Sequence, residues 1–205
     1  MIPFRALAQL ASEPRPASGP RCELCGSPLR EPHRHVVELG ARGVQCTCTP
    51  CAILFSRPDS TARFRTVPER VVADPAFAMT AERWAGLGIP VALAFFFRDS
   101  TRDEVVVCYP GAAGVIEAAL EPAAWHEVTQ ATPLAAELAE DVEALLVHGE
   151  RGAPTLACYL VPISAAYDLA GRLRRTWRGF TGGDEARREV ATFFAELDHP
   201  RRGHR

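Results

Sequence analysis

Apolar and polar positions along the second half of the chain follow two different periods. Apolar runs of strand length cover residues 89–97 and 104–110, and the polar segment RDSTRD separates them. A second pair of apolar runs covers residues 141–149 and 155–163. Short apolar runs bounded by turn residues are typical of buried strands. Each pair therefore predicts a β-hairpin.

Helical spacing follows each predicted hairpin. Pro122 and Pro133 begin two short segments, and proline is favoured in the first turn of a helix. Residues 164–177 and 184–197 each carry an apolar stripe at intervals of three or four. Two hairpins with helices between and after them predict an α+β domain over residues 80–198. We expect an antiparallel sheet with helices on one face.

A cysteine-rich stretch precedes this domain, in residues 21–57. Cys22 and Cys25 form one C-x2-C pair, and Cys48 and Cys51 form another. Each pair places two sulfurs on one tight turn, and Gly26 follows the first pair where positive φ is commonly needed. Two such turns facing each other make a closed tetrahedral site for Zn²⁺. The spacing predicts a zinc-ribbon-like module that depends on its metal, because a segment this short seldom folds on its own core.

The ligand set and the metal both have alternatives. Cys46 offers a competing register with Cys48, and His33 or His35 could replace a thiolate. An iron–sulfur cluster also uses four cysteines. A disulfide framework is disfavoured, because seven cysteines are an odd number and the chain is not a small secreted scaffold.

Candidate catalytic residues are not evident in the sequence. It contains neither H-E-x-x-H nor a recognisable Ser/His/Asp arrangement. A metal held by four thiolates has no open position for water or substrate. These features predict a protein that is not an enzyme.

The remaining segments are predicted to connect or flank these two units. Residues 1–20 begin weakly amphipathic and then become a linker rich in proline and serine, which indicates a flexible segment. Residues 58–79 are predicted to be a connector, interrupted by three prolines. Residues 199–205 form a basic tail. We find neither a signal-peptide pattern nor a membrane span, and we expect a cytoplasmic protein.

Charge is nearly balanced, with a formal net charge of −2, which disfavours a dedicated nucleic-acid-binding protein. Every basic residue is arginine, and two local clusters are candidate contact surfaces. The first is interleaved with Phe64 and could face nucleic acid; it comprises Arg57, Arg63, Arg65 and Arg70. The second combines arginine with aromatic residues, which are enriched at interface centres. This candidate partner-binding set comprises Arg172, Arg175, Trp177, Arg178 and Phe180.

The order of motifs along the chain also resembles a known family. The sequence contains CELCG, HRH and CTCTPC, followed by IPVALAFFF, DVEALLV, CYLVPI and WRGFTGG. Together they resemble an uncharacterised actinobacterial family with a zinc-ribbon-like N-terminus. Its genes are often found beside those of the high-affinity group 5 [NiFe]-hydrogenase. The resemblance covers residues 21–197, and the cysteine frame is its most specific part.

What this resemblance implies is an accessory role rather than a reaction. The first hypothesis is a zinc protein that assists assembly or maturation of a [NiFe]-hydrogenase through contacts with a hydrogenase subunit or a maturation factor. One alternative is a zinc-ribbon nucleic-acid-binding or regulatory protein. Another is an iron-binding redox or electron-transfer module.

Overall fold

The computed structural model describes residues 19–56, 63–111, 114–149, 156–179 and 182–198. The described strands are β1 (Arg34–Glu38), β2 (Gly43–Thr47), β3 (Phe64–Thr66), β4 (Val72–Asp74), β5 (Leu93–Asp99), β6 (Glu104–Gly111), β7 (Gly114–Ala119), β8 (Glu143–His148) and β9 (Ala157–Pro162). The described helices are α1 (Thr49–Leu54), α2 (Ala81–Gly86), α3 (Pro122–Ala131), α4 (Leu134–Glu137), α5 (Ile163–Thr176) and α6 (Gly183–Asp198).

The described strands form two antiparallel sheets. The larger has the order β4-β9-β8-β5-β6-β7, and the smaller has the order β2-β1-β3. Both predicted hairpins are present, as β5 with β6 and β8 with β9, and β5 pairs with β8 to join them. The predicted α+β class with an antiparallel sheet is confirmed.

The turn between β5 and β6 is formed by a buried carboxylate. Asp99 Oδ1 accepts hydrogen bonds from Thr101 N at 2.9 Å, Thr101 Oγ1 at 2.6 Å and Arg102 N at 3.2 Å. An aspartate that bonds the backbone two residues ahead mimics a turn by itself. This explains why the polar segment between two apolar runs closes a tight hairpin.

Helices cover both faces of the larger sheet, where the sequence pattern predicts them on one. Phe95 and Phe97 pack with α5 and α6, while Ala94 and Phe96 pack with α2, α3 and α4. Successive side chains of a strand point to opposite faces. The unbroken apolar run of β5 therefore matches burial on both sides, as it does in sheets covered on both faces.

Outside the cysteine-rich stretch and the two predicted hairpins, three strands were not predicted. β3 and β4 lie inside the predicted connector, where each becomes an edge strand of one sheet. β7 is an edge strand whose side chains are mostly exposed. Its sequence, GVIEAA, has only two large apolar residues and no alternation of polar and apolar positions. Edge strands need only one partner and one buried face, which leaves a weak sequence signal.

The smaller sheet packs against the larger one through a shared core. Val37 of β1 and Val67 after β3 are buried in the same cluster as Phe97 and Ile163. The cysteine-rich stretch is thereby fixed to the face that carries α5 and α6. Residues 1–18 and 199–205, which hold most of the predicted flexible segment and the whole basic tail, lie outside the described residues. Among the helices that the structure describes, none is long and apolar enough to cross a bilayer.

Candidate metal centre

The first cysteine pair lies on a closed turn. Cys22 N donates to Ser27 O, and Gly26 N donates to Cys22 O, each at 2.8 Å. Gly26 has φ of +74°, as the spacing predicts. A side chain at this position would be strained, because only glycine adopts positive φ at little cost. The turn directs the thiols of Cys22 and Cys25 to the same side.

The second pair lies where β2 ends and α1 begins. Cys48 is the residue that precedes the helix, and Cys51 lies in its first turn. Ala52 N donates to Cys48 O at 3.0 Å, which closes that turn. Pro50 fits there because the first backbone N–H groups of a helix have no partner within the helix.

Glu23 joins the two halves of the site. Its backbone N–H donates to Cys46 O at 2.9 Å, and its carboxylate oxygen Oε2 accepts from Cys46 N at 2.5 Å. These two bonds attach the first turn to β2, two residues before Cys48. The register between the two cysteine pairs is therefore set by backbone contacts as well as by sulfur.

The four thiols converge on one point. Their sulfur atoms all lie within 4.8 Å of one another, and Cys25 Sγ is 3.7 Å from Cys48 Sγ. Zinc–sulfur bonds of about 2.3 Å in a tetrahedron place neighbouring sulfurs about 3.8 Å apart. All four cysteines are free thiols rather than disulfides. Cys22, Cys25, Cys48 and Cys51 could therefore bind one metal ion, and we call them the four-cysteine centre.

The surroundings of the thiols shift their pKa values in different directions. Hydrogen bonds from Ser27 lower the pKa of Cys25 to about 6. Burial acts to raise the pKa of Cys22, but hydrogen bonds from the backbone N–H groups of Cys48, Cys25 and Leu24 lower it overall. Sharing hydrogen bonds with Cys48 and Cys25 raises the pKa of Cys51 to about 12. A bound cation would reverse that last effect, because metal coordination deprotonates thiols.

The three alternative ligands form a second group of their own. His33, His35 and Cys46 place their ligand atoms within 4.8 Å of one another, and they share no residue with the four-cysteine centre. Burial and the neighbouring His33 lower the pKa of His35. Burial and the charge of Glu23 raise the pKa of Cys46.

A family model described as a family of unknown function, DUF5947, matches residues 21–201. The match begins directly before the first cysteine turn and includes both cysteine pairs and the α+β domain. The chain belongs to the DUF5947 family. Comparison with curated proteins and with solved structures found no match.

The predicted partner-binding residues divide into two kinds. Arg172 joins α5 to α6, since it donates to Asp168 at 2.9 Å and to Glu196 at 3.2 Å and lies over the ring of Phe193. Trp177 is half-buried against the core and donates from Nε1 to Gly179 O at 3.0 Å. Arg175 and Arg178 are exposed, and Phe180 lies outside the described residues.

The arginines predicted to face nucleic acid bind carboxylates of this DUF5947 chain. Arg63 donates to Glu38 at 2.7 Å, Arg65 to Asp141 at 2.7 Å, and Arg70 to Glu143 at 2.6 and 2.8 Å. Arg57 lies outside the described residues. Three of the four residues are therefore engaged in holding the connector to the rest of the fold.

The other two cysteines lie in the core of the larger sheet. Cys108 and Cys158 are almost fully buried in β6 and β9. Burial raises the pKa of each thiol to about 12, which keeps both in the unreactive thiol form.

Proposed function

We propose that this protein is a non-enzymatic zinc protein that assists the assembly or maturation of a [NiFe]-hydrogenase through protein contacts. The observation that carries the zinc assignment is the convergence of four thiols within 4.8 Å of one another. Such a set satisfies all four positions of tetrahedral Zn²⁺ and leaves none for a substrate. The metal then stabilises the cysteine-rich stretch and takes no part in a reaction.

The spacing of the thiols favours one ion over an iron–sulfur cluster. A cluster spreads its thiolates over several iron atoms and holds them further apart than a single ion does. The 3.7 Å separation between the sulfurs of Cys25 and Cys48 matches the edge of a tetrahedron around a single metal. All seven cysteines are free, which fits the reducing cytoplasm that we propose as the location.

The hydrogenase assignment comes from the sequence resemblance described above. The resemblance adds a role, hydrogenase assembly or maturation, to the family membership. The motifs on which it rests include the two cysteine pairs. The surface that we propose for the partner includes Arg175 and Arg178, both exposed at the end of α5. Phe180 belongs to the set by sequence and lies outside the described residues. Exposed arginine beside an aromatic residue is a common composition at interface centres.

A role in nucleic-acid binding is less well supported by the contacts. Arg65 and Arg70 bind carboxylates that are almost fully buried, so both are committed to the fold. Nucleic-acid binding depends on basic side chains that are available to phosphates, and it weakens steeply as salt increases. Binding to DNA or RNA with such a dependence would support this alternative over the accessory role.

The metal is tested first. Protein purified without air is analysed for zinc and iron, and its visible spectrum is recorded. We expect zinc and no colour, because Zn²⁺ has a filled d shell. Iron with intense charge-transfer absorption would replace the zinc assignment with a redox role.

The role is tested by deletion in a hydrogen-oxidising host that encodes this protein. We expect hydrogen uptake to fall, and the wild-type gene to restore it. A double variant, Arg175→Glu with Arg178→Glu, should restore less, while it retains the metal and the fold. Unchanged hydrogen uptake in the deletion strain would reject the proposed role and leave the metal assignment intact.

A further inference from the structure

The hairpin of β1 and β2 brings two imidazoles and a thiol together. The ligand atoms of His33, His35 and Cys46 lie within 4.8 Å of one another, and the two imidazole ring centres are 4.9 Å apart. Histidine and cysteine are common ligands for metals of soft or borderline character in proteins.

The strand register explains why these residues meet. His35 pairs directly with Cys46 across the antiparallel hairpin. Residues opposite each other in such a pair project to the same face, and their Cβ atoms lie about 5 Å apart. His33 directly precedes β1, and its ring centre lies 4.9 Å from that of His35, so the two imidazoles lie on the same side of the hairpin. The same face continues to Val37 and Val44, which pack against the core.

No hydrogen bond among the described residues accounts for the burial of the His33 ring. Its side chain is 10% exposed, and both ring nitrogens are buried without a hydrogen-bond partner among the described residues. A buried polar group without a partner costs about 1–3 kcal/mol. Such a group needs an explanation, and a bound ion is one of the recognised ones.

Carboxylates surround the group and favour a cation within it. Glu31 Oε1 lies 3.2 Å from His33 Nδ1, without the alignment of a hydrogen bond. Glu23 accepts from the backbone N–H of Cys46 at 2.5 Å. A carboxylate beside one nitrogen of a histidine commonly orients the ring so that the other nitrogen binds metal.

We propose that His33, His35 and Cys46 form a second metal site, separate from the four-cysteine centre, which binds a divalent transition-metal ion such as Zn²⁺. Two imidazoles and one thiolate suit metals of borderline softness. Three protein ligands leave a fourth position for water or an exchangeable ligand, as at zinc sites that exchange ligands. The two sites therefore differ in kind: the four-cysteine centre is closed, and this site is open.

The difference in openness can be measured on the full-length protein loaded with Zn²⁺. Zinc per chain is determined by elemental analysis, and its release to a chromogenic chelator is followed in time. We expect two equivalents, of which one is released quickly and one slowly. His35→Ala and Cys46→Ser should each reduce the content to one equivalent and abolish the fast phase.

Two further variants separate this site from the four-cysteine centre. His126→Ala, which removes an exposed histidine on α3, should retain both equivalents. Cys25→Ser should lose the slow equivalent and retain the fast one. The conservative variant His33→Gln, with circular dichroism to verify the fold, should again lose only the fast equivalent.

Cobalt gives an independent spectroscopic measure of the ligands. Thiolate-to-Co²⁺ charge transfer grows with the number of thiolates. Cobalt at the second site, with one thiolate, should therefore absorb much more weakly than cobalt at the four-cysteine centre. Wild-type protein that binds one ion, lost in Cys25→Ser and retained in His35→Ala, would overturn the second site and leave the first unaffected. The second site would also be overturned if the second cobalt ion showed charge-transfer absorption strong enough to require several thiolate ligands.

Discussion

Arg70 forms a two-pronged ion pair with Glu143, a fully buried carboxylate of β8. Nε and Nη2 of the arginine donate to the two carboxylate oxygens at 2.6 and 2.8 Å. Arg70 also donates to Glu137 O at 2.9 Å. Because Arg70 lies two residues before β4, this pair attaches the connector to the centre of the larger sheet. It also neutralises a buried charge whose other hydrogen bond comes from Ala139 N, which donates to Glu143 Oε2 at 3.0 Å.

We expect Arg70→Ala to lower the free energy of unfolding by about 3 kcal/mol. Loss of one partner from a buried ion pair costs about 3–5 kcal/mol, because the other charge stays buried. We expect the lower end of this energy range because the Arg70 side chain is 43% exposed, so water already screens part of its interaction with Glu143. Urea unfolding followed by circular dichroism measures the change.

The matched control is Arg187→Ala, which breaks an exposed pair with Asp184 within α6. It should change the unfolding free energy by less than about 1 kcal/mol. The double variant Arg70→Met with Glu143→Leu should recover most of the lost stability, since it removes both charges. Equal losses in Arg70→Ala and Arg187→Ala would contradict the special position of the Arg70 pair.

Features with local signals could be predicted from the sequence. The two C-x2-C pairs and Gly26 identify the turns of the four-cysteine centre, because each turn is formed by residues next to one another. The apolar runs of β5 and β8 likewise identify the hairpins. Both kinds of feature depend on short stretches of chain, whose patterns the sequence displays directly.

Features that depend on distant residues could not be predicted. Arg70 and Glu143 are 73 positions apart, so the sequence indicates only a basic patch and a polar residue within an apolar strand. The group of His33, His35 and Cys46 depends on the register between β1 and β2, which the residue spacing alone does not reveal. β7 could not be predicted because its sequence, GVIEAA, has only two large apolar residues, and in the fold both Val115 and Ile116 are exposed, at 40% and 43%.

Loss of one ligand should release the metal from the four-cysteine centre. Cys25→Ser removes a thiolate, and a serine hydroxyl does not replace it at neutral pH. We expect that ion to be lost, together with amide protection at Glu23 and Cys46, whose backbone bonds connect the two cysteine pairs. Elemental analysis and hydrogen exchange measure the two effects.

Cys108→Ala is the control for this prediction. Cys108 is fully buried in β6, and its loss should destabilise the core without changing the metal content. A Cys25→Ser protein with full metal content and unchanged exchange at Glu23 and Cys46 would contradict the assignment of Cys25 as a ligand.

Ser27 should control the reactivity of Cys25 in the metal-free protein. Its hydroxyl lies 3.3 Å from Cys25 Sγ, and its hydrogen bonds lower the pKa of that thiol from 9.0 to about 6. Cys25 is then a thiolate at neutral pH, and the thiolate is the form that reacts with iodoacetamide. We expect Ser27→Ala to move the midpoint of the alkylation rate to higher pH.

Mass spectrometry of the alkylated peptides provides an internal control. Cys51, whose pKa is raised to about 12, should react slowly at neutral pH in both proteins. An alkylation midpoint for Cys25 that is the same with and without the Ser27 hydroxyl would show that the serine does not set its pKa.

Asp99 should make the fold sensitive to acid. Its side chain is 1% exposed. Burial alone would raise its pKa above 3.8, but hydrogen bonds from Thr101 and Arg102 and the charge of Arg42 lower it below that value. A carboxylate whose pKa is lower in the folded state contributes stability that is complete above the unfolded pKa. That stability is lost as the pH falls through the folded pKa.

Asp99→Asn tests this contribution, because it keeps the shape of the side chain and removes the charge. At neutral pH we expect it to lower the unfolding free energy by about 1.5–3 kcal/mol, the range for hydrogen bonds to a charged group. Below about pH 4 the wild-type carboxylate begins to be protonated, first in the unfolded state, so the difference between the two proteins should shrink. Urea unfolding at a series of pH values measures it, and a difference that stays constant into acid would show that the charge of Asp99 contributes nothing.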